Sequence, residues 1–244
     1  MDKDTYNIIR NIQASSRASY SRGNIHSVDT DNTFEIQRFE RERLAFDTER
    51  HSLRANILYA HGFASAGNSG TAQEIQKYLP NCRVISPDLP IAPDEAIELL
   101  TRVVIEEKID VAVGTSMGGM LVQKLRGTPK VLVNPAFHVS DLMRREIGIV
   151  PFFNRRADGA TEFEVTEALC DAYKNLETGQ FNNLTDHEIS ITYGLFGTDD
   201  TTVNGEAEYD LHYRHKMIFI GGHRLTSENV HDYVVEAILK LTHS

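Results

Sequence analysis

Ser116 sits between two glycines in Gly114-Thr115-Ser116-Met117-Gly118, directly after the apolar run Val111-Ala112-Val113. Helix-forming residues follow, from Met117 to Leu125. Strand, tight turn and helix around a G-x-S-x-G motif form the context of a nucleophile elbow. Glycine at both flanks avoids crowding a turn sharp enough to present a hydroxyl, and it tolerates unusual backbone angles. Ser116 is therefore a candidate catalytic nucleophile. A rival reading is a glycine-rich turn with no chemistry.

A serine hydroxyl needs a base to take its proton, and the base is usually oriented by a carboxylate. Both partners are expected at the ends of later strands. The apolar run ending at Phe196 leads into Gly197-Thr198-Asp199-Asp200-Thr201-Thr202-Val203. This resembles the G-x-x-D-x-x-V turn of many α/β-hydrolases, a resemblance that places the acid at Asp200, with the adjacent Asp199 left open. The rival reading is a polar turn whose aspartates cap the next helix. The run Lys216–Ile220 leads into Gly221-Gly222-His223, which makes His223 the candidate base. There are ten histidines, and position singles this one out. His212 and His215 precede the strand, His231 falls on the polar side of the last helix, and His138 opens a later insertion.

A fourth feature is Tyr59-Ala60-His61-Gly62-Phe63. It has the form of a loop that binds a developing oxyanion through backbone N–H groups, here those of Phe63 and Met117. His61 is then structural, hydrogen-bonded within its loop. Ser, acid and His in this order, with such a loop ahead of them, define an α/β-hydrolase.

The elements needed to position these residues are legible from residue 55 onward. Strand-length apolar runs lie at 55–60, 83–87, 110–114, 130–134, 189–196 and 216–220. Most are continuous rather than alternating, as expected for strands buried on both faces. Helical stretches separate them. One opens at Pro93-Asp94-Glu95 and continues through Ile97, Leu100 and Val104 at helical spacing. Another carries Ile75 and Leu79, with Ser69 or Thr71 as its N-cap. In the last, Val230, Tyr233, Val234, Ala237, Ile238 and Leu241 form an apolar stripe. The expected fold is a mostly parallel sheet of about six strands with helices on both faces.

Residues 135–188 interrupt the rhythm. They read as helical around 139–147 and 164–178, with an irregular piece from Gly148 to Thr161, and form a helical cap insertion that shapes substrate access. Residues 1–52 form an N-terminal extension ahead of a hydrolase domain over 53–244. Residues 14–33 of it are rich in Ser, Asn, Asp and Arg. Residues 38–51 are charged and helical, with Phe39, Leu44 and Phe46 as apolar anchors.

Of 244 residues, 41% are hydrophobic and 25% charged, so the chain can bury a full sheet core. A formal net charge of −10 disfavours nucleic acid and anionic membranes as partners. The apolar runs fall short of the roughly 20 residues that cross a bilayer. The first residues lack signal-peptide order, so a cytoplasmic location is expected. Cys82 and Cys170 fit no metal or redox spacing and read as buried thiols.

Four segments, Ile57–Ser65, Ser86–Pro90, Gly114–Gly119 and Val131–Ala136, resemble small bacterial esterases of the YqiA/YcfP type. The resemblance runs from about residue 55 to the C-terminus and does not extend to the details of the cap. It implies a compact α/β-hydrolase lacking the first strands of larger relatives. It also implies esterase or thioesterase activity on small acyl substrates, without metal or cofactor. Ser116 and His223 match the family's catalytic positions. Hydrolysis of an amide or carbon–carbon bond by the same residues is the alternative among enzymes. A non-catalytic interaction module is the alternative outside them. The oligomeric state stays open, a homo-oligomer included.

Overall fold

The computed structural model describes residues 30–242, with side chains from residue 38 onward. The chain divides into two units, one up to Asp47 and one from Thr48. Helix α1 (Thr30–Ser52) contains the helix expected at 38–51 and begins earlier. Most of the stretch 14–33 lies outside the described residues. Leu44, expected as an anchor, is 68% exposed, whereas Phe39 and Phe46 are half-buried. The geometry explains this. Positions 39 and 46 are seven apart and share a helix face, and position 44 falls well off that face.

The second unit is built on six parallel strands. They are β1 (Asn56–Ala60), β2 (Arg83–Ile85), β3 (Val111–Thr115), β4 (Lys130–Val133), β7 (Thr192–Gly197) and β8 (His215–Phe219). Their order across the sheet is β2-β1-β3-β4-β7-β8. Ile57, Leu58, Val111, Ala112, Val113, Val131 and Leu132 are all fully buried, which is why their runs are continuous. The helices between strands are α2 (Gly70–Tyr78), α3 (Pro93–Glu106), α4 (Met117–Gln123) and α8 (Glu206–His212). Ser69 does stand at the N-cap of α2, but its hydroxyl makes no capping bond. After β8, the short helix α9 (Ser227–Asn229) opens with a Thr226–Asn229 capping box. It continues through a π-helical stretch (Val230–Val235) into α10 (Glu236–Thr242). Cys82 and Cys170 are free and buried.

The direction of the chain reverses at the centre of this sheet. From β1 it steps outward to β2, then crosses to β3 on the other side. Crevices outside the carboxyl ends of strands at such a switch point are the usual binding sites of open α/β sheets. The loop after β1 and the turn after β3 both open there.

The 135–188 insertion is only partly helical. Helix α5 (Val139–Met143) and a 3-10 turn (Arg144–Glu146) precede strand β5 (Gly148–Pro151), which pairs antiparallel with β6 (Glu162–Val165). Helices α6 (Glu167–Glu177) and α7 (Asp186–Ser190) follow. The stretch read as irregular therefore includes a strand and a hairpin loop. Four-residue strands bounded by Gly148 and Pro151 are too short to show a period. The helix expected from 164 starts after Thr166, whose hydroxyl accepts from Leu169 N–H as an N-cap. The apolar run starting at Ile189 likewise begins in helix α7, capped by Thr185.

Helix α7 delivers Glu188 to a buried ion pair. Lys130 Nζ lies 2.7 Å from Glu188 Oε2, with side chains 1% and 7% exposed. Lys130 also donates to the Leu125 carbonyl, and Glu188 Oε1 accepts from Gly127 N–H at 2.6 Å. Burial pushes the Lys130 ammonium down and the Glu188 carboxyl up. For the carboxyl, the donors from Lys130 and Gly127 outweigh burial and hold it below its usual range. Two donors to one carboxylate make the ionised pair the state this site fits. Glu188→Ala leaves the cation buried and unpaired, and should lower unfolding free energy by about 3–5 kcal/mol in urea titrations at neutral pH. Because the folded carboxyl titrates below the unfolded one, its contribution is present above the ordinary carboxylate range. It is lost as pH falls through the lower, folded value.

Candidate active site

Ser116 occupies a backbone conformation that a non-glycine residue rarely adopts, φ 56° and ψ −121°. The surroundings hold it there. Its N–H donates to Val133 O at 2.9 Å, and its carbonyl accepts from Gly119, Met120 and Ala136. The flanking glycines are steric requirements. A Cβ at Gly114 would lie 2.3 Å from Gly118 O, and one at Gly118 would lie 2.1 Å from Ala60 O. Glycine at 114 thus lets the turn close on itself and glycine at 118 lets it pack against the end of β1, which sets Ser116 at the sheet edge.

His223 follows β8 and approaches from the far side. Its Nε2 lies 3.0 Å from Ser116 Oγ, and its Nδ1 lies 2.8 Å from Asp200 Oδ2. A carboxylate only accepts, so Nδ1 carries the proton and Nε2 is left to accept from the serine hydroxyl. Asp200 is 6% exposed at its side chain. Its Oδ1 is occupied by the N–H groups of Thr202 and Val203, at 2.8 and 3.1 Å. Asp199 is exposed, and its N–H is tied to Gly221 O. The structure brings Asp200, not Asp199, to the histidine.

The two backbone donors expected from the sequence lie at the start of α4 and in the loop after β1. Met117 is the first residue of α4, so its N–H belongs to the first turn, where helical carbonyls are missing. Phe63 lies in the turn after β1, and its N–H has no hydrogen-bond partner among the described residues. His61 is buried and structural, as expected, but its reach is longer than its own loop. Nδ1 bonds Gly62 O at 2.9 Å, and Nε2 accepts from Leu89 N–H at 3.1 Å. Burial lowers its pKa, favouring the neutral ring that this acceptance requires.

Asn134, at the end of β4, was not singled out as a site residue from the sequence. It is buried, with φ 42°. Its Oδ1 accepts from Gly197 N–H at 2.9 Å, at the start of the Asp200 turn. Its Nδ2 donates to Gly222 O and His223 O, at 3.2 and 3.3 Å. One amide thus joins the acid turn to the histidine loop. Its position at a strand end beside the elbow is the signal that could have marked it. Asn134→Asp preserves shape but sets a carboxylate against two carbonyls. Steady-state kinetics on 4-nitrophenyl acetate should show kcat reduced about 100-fold with little change in KM, as for a misplaced catalytic group.

Beside Phe63 and Met117 lies a pocket of about 270 Å³, solvent at its mouth included. Leu89 and Ile91 form one wall, and Met143, Phe152, Phe163 and Tyr173 of the insertion form the other. Buried Tyr173 is raised well above the usual tyrosine value, so its hydroxyl stays neutral.

A parallel sheet with its Ser, Asp and His at the C-terminal edge, the serine on a strained strand–helix turn, is an α/β-hydrolase fold. Residues 56–194, more than half of the chain, match the model described as Uncharacterised protein family (UPF0227), and the chain belongs to that family. Solved structures agree on the fold. Est1E from Butyrivibrio proteoclasticus is 15% identical with a TM-score of 0.56, covering 78% of this chain and 89% of its own. A structure reported for LipS and LipT, two metagenome-derived lipolytic enzymes, is 16% identical with a TM-score of 0.52 and coverages of 77% and 93%. TT1662 from Thermus thermophilus is 11% identical with a TM-score of 0.51, covering 78% and 90%. No described helix is long and apolar enough to cross a membrane.

Proposed function

We propose that this protein is a serine hydrolase of carboxylic esters or thioesters of small acyl groups. The observation that carries the reading is the continuous hydrogen-bonded line from Ser116 through His223 to Asp200, starting at a strained elbow. Ser116 Oγ attacks the acyl carbonyl carbon as His223 Nε2 takes its proton. Asp200 holds the ring in the required tautomer and stabilises its cationic form. The N–H groups of Phe63 and Met117 bind the oxyanion, each worth about 100- to 1,000-fold in rate. Collapse of the tetrahedral species expels the alcohol or thiol, which receives the proton from His223. Water then attacks the acyl-enzyme, giving its proton to His223, and the acid is released with the serine restored.

The neighbour reported among lipolytic enzymes is consistent with this chemistry. The residues lining the pocket beside Phe63 and Met117 are mostly apolar, which suits an acyl chain. The test is exposure to a fluorophosphonate probe, followed by intact mass and peptide mapping. A single adduct on Ser116 is expected. Well-folded protein that takes no adduct would favour an interaction module instead.

A further inference from the structure

The pocket contains a charge that a plain short-chain ester does not need. Arg156, from the loop joining β5 and β6, is the only permanently charged residue among those lining it. Its side chain is 8% exposed. Nη1 donates to Leu89 O at 3.1 Å, and the guanidinium lies 4.7 Å from the Phe152 ring centre. Nε faces Asp158 at 3.1 Å, but Asp158 is 55% exposed and approaches from the solvent side. Nη2 has no hydrogen-bond partner among the described residues. That nitrogen is not sealed off from solvent, so a ligand oxygen can reach it.

Of the neighbouring acids, Asp158 is paired with Arg156 Nε itself through both carboxylate oxygens, and Asp88 is committed to backbone donors. Asp88 accepts from Gly67 N–H and Ala157 N–H, at 2.7 and 2.6 Å. Asp158 also accepts from Ala160 N–H. His61 is held neutral, so it neither competes for an anion nor adds a second cation. One guanidinium suits one carboxylate, whereas a phosphate dianion would lack further cations here. The loop is strapped over the pocket by Phe153 N–H to Ala64 O and by Asn154 Nδ2 to Ser65 Oγ, at 2.8 and 3.1 Å. The acyl group stays attached between the two chemical steps, while the alcohol must leave after the first. The acyl group is therefore the one to place beneath the strap.

We propose that Arg156 determines specificity, selecting short acyl groups that end in a carboxylate, the half-esters or half-thioesters of small dicarboxylic acids. This rests on the hydrolase reading above. The experiment compares kcat/KM for 4-nitrophenyl hydrogen glutarate and neutral 4-nitrophenyl valerate. Wild type should prefer the half-ester, and Arg156→Gln should lower the preference ratio about 10- to 100-fold, with Arg156→Lys restoring part of it. In parallel, saturating butyrate should raise the unfolding midpoint of wild type but not of Arg156→Gln, and butyramide should raise neither. A wild-type preference for valerate overturns the proposal even if the variants fail to fold. So does a butyrate shift that survives in a folded Arg156→Gln. Arg156-dependent butyrate protection without turnover of either ester would uphold carboxylate recognition and reject the hydrolase reading.

Discussion

Ser116→Ala should remove ester turnover, with kcat on 4-nitrophenyl acetate falling by about a millionfold, as when a nucleophile acting in concert with its base is lost. The side chain contributes the attacking oxygen and little else. Its hydroxyl bonds only His223 among the described residues, and the strained φ of 56° is held by backbone hydrogen bonds that alanine retains. Far-UV circular dichroism and the unfolding midpoint should therefore stay near wild type, and the fluorophosphonate adduct should vanish. Retained turnover in this variant would reject Ser116 as nucleophile. Alanine and serine share the same positive-φ penalty, so the comparison isolates the hydroxyl.

The second large effect separates two adjacent acids. Asp200→Asn should lower kcat by about 10,000-fold, because an amide can present an N–H to His223 Nδ1 and favour the tautomer in which Nε2 is protonated. That tautomer cannot accept the serine proton. Asp199→Asn, at an exposed turn position, should change kcat by less than about threefold, in line with surface substitutions away from any site. Parallel kinetics on both variants, with unfolding midpoints as a folding control, measure the contrast. Equal losses would mean that the turn as a whole, rather than the Asp200 carboxylate, supports the histidine.

Much of this arrangement was legible in the residue order, for physical reasons. Strands buried on both faces must be continuously apolar, so β1, β3 and β4 stood out within a residue or so of their observed ends. Chemistry at a parallel sheet clusters at the carboxyl ends of strands, so the residues just after each run were the ones to inspect. Ser116, Asp200 and His223 were singled out as candidates that way. The insertion was harder. Its β5–β6 hairpin is too short to show a period, and Arg156 has no local signature, since its meaning comes from Leu89, Phe152 and the pocket they share.

Sequence alone determined the elbow, because a side chain at Gly114 would strike the backbone of Gly118 and one at Gly118 would strike the end of β1. It also determined the order in which Ser116, Asp200 and His223 leave the sheet. Tertiary structure decided the rest. Distances across 23 and 107 residues bring Asp200, rather than Asp199, to His223, and His223 to Ser116. Asn134 acquires its place only when three strand ends meet. Contacts between residues remote in the chain depend on strand order and register, and no local pattern encodes which turn end lies beside which.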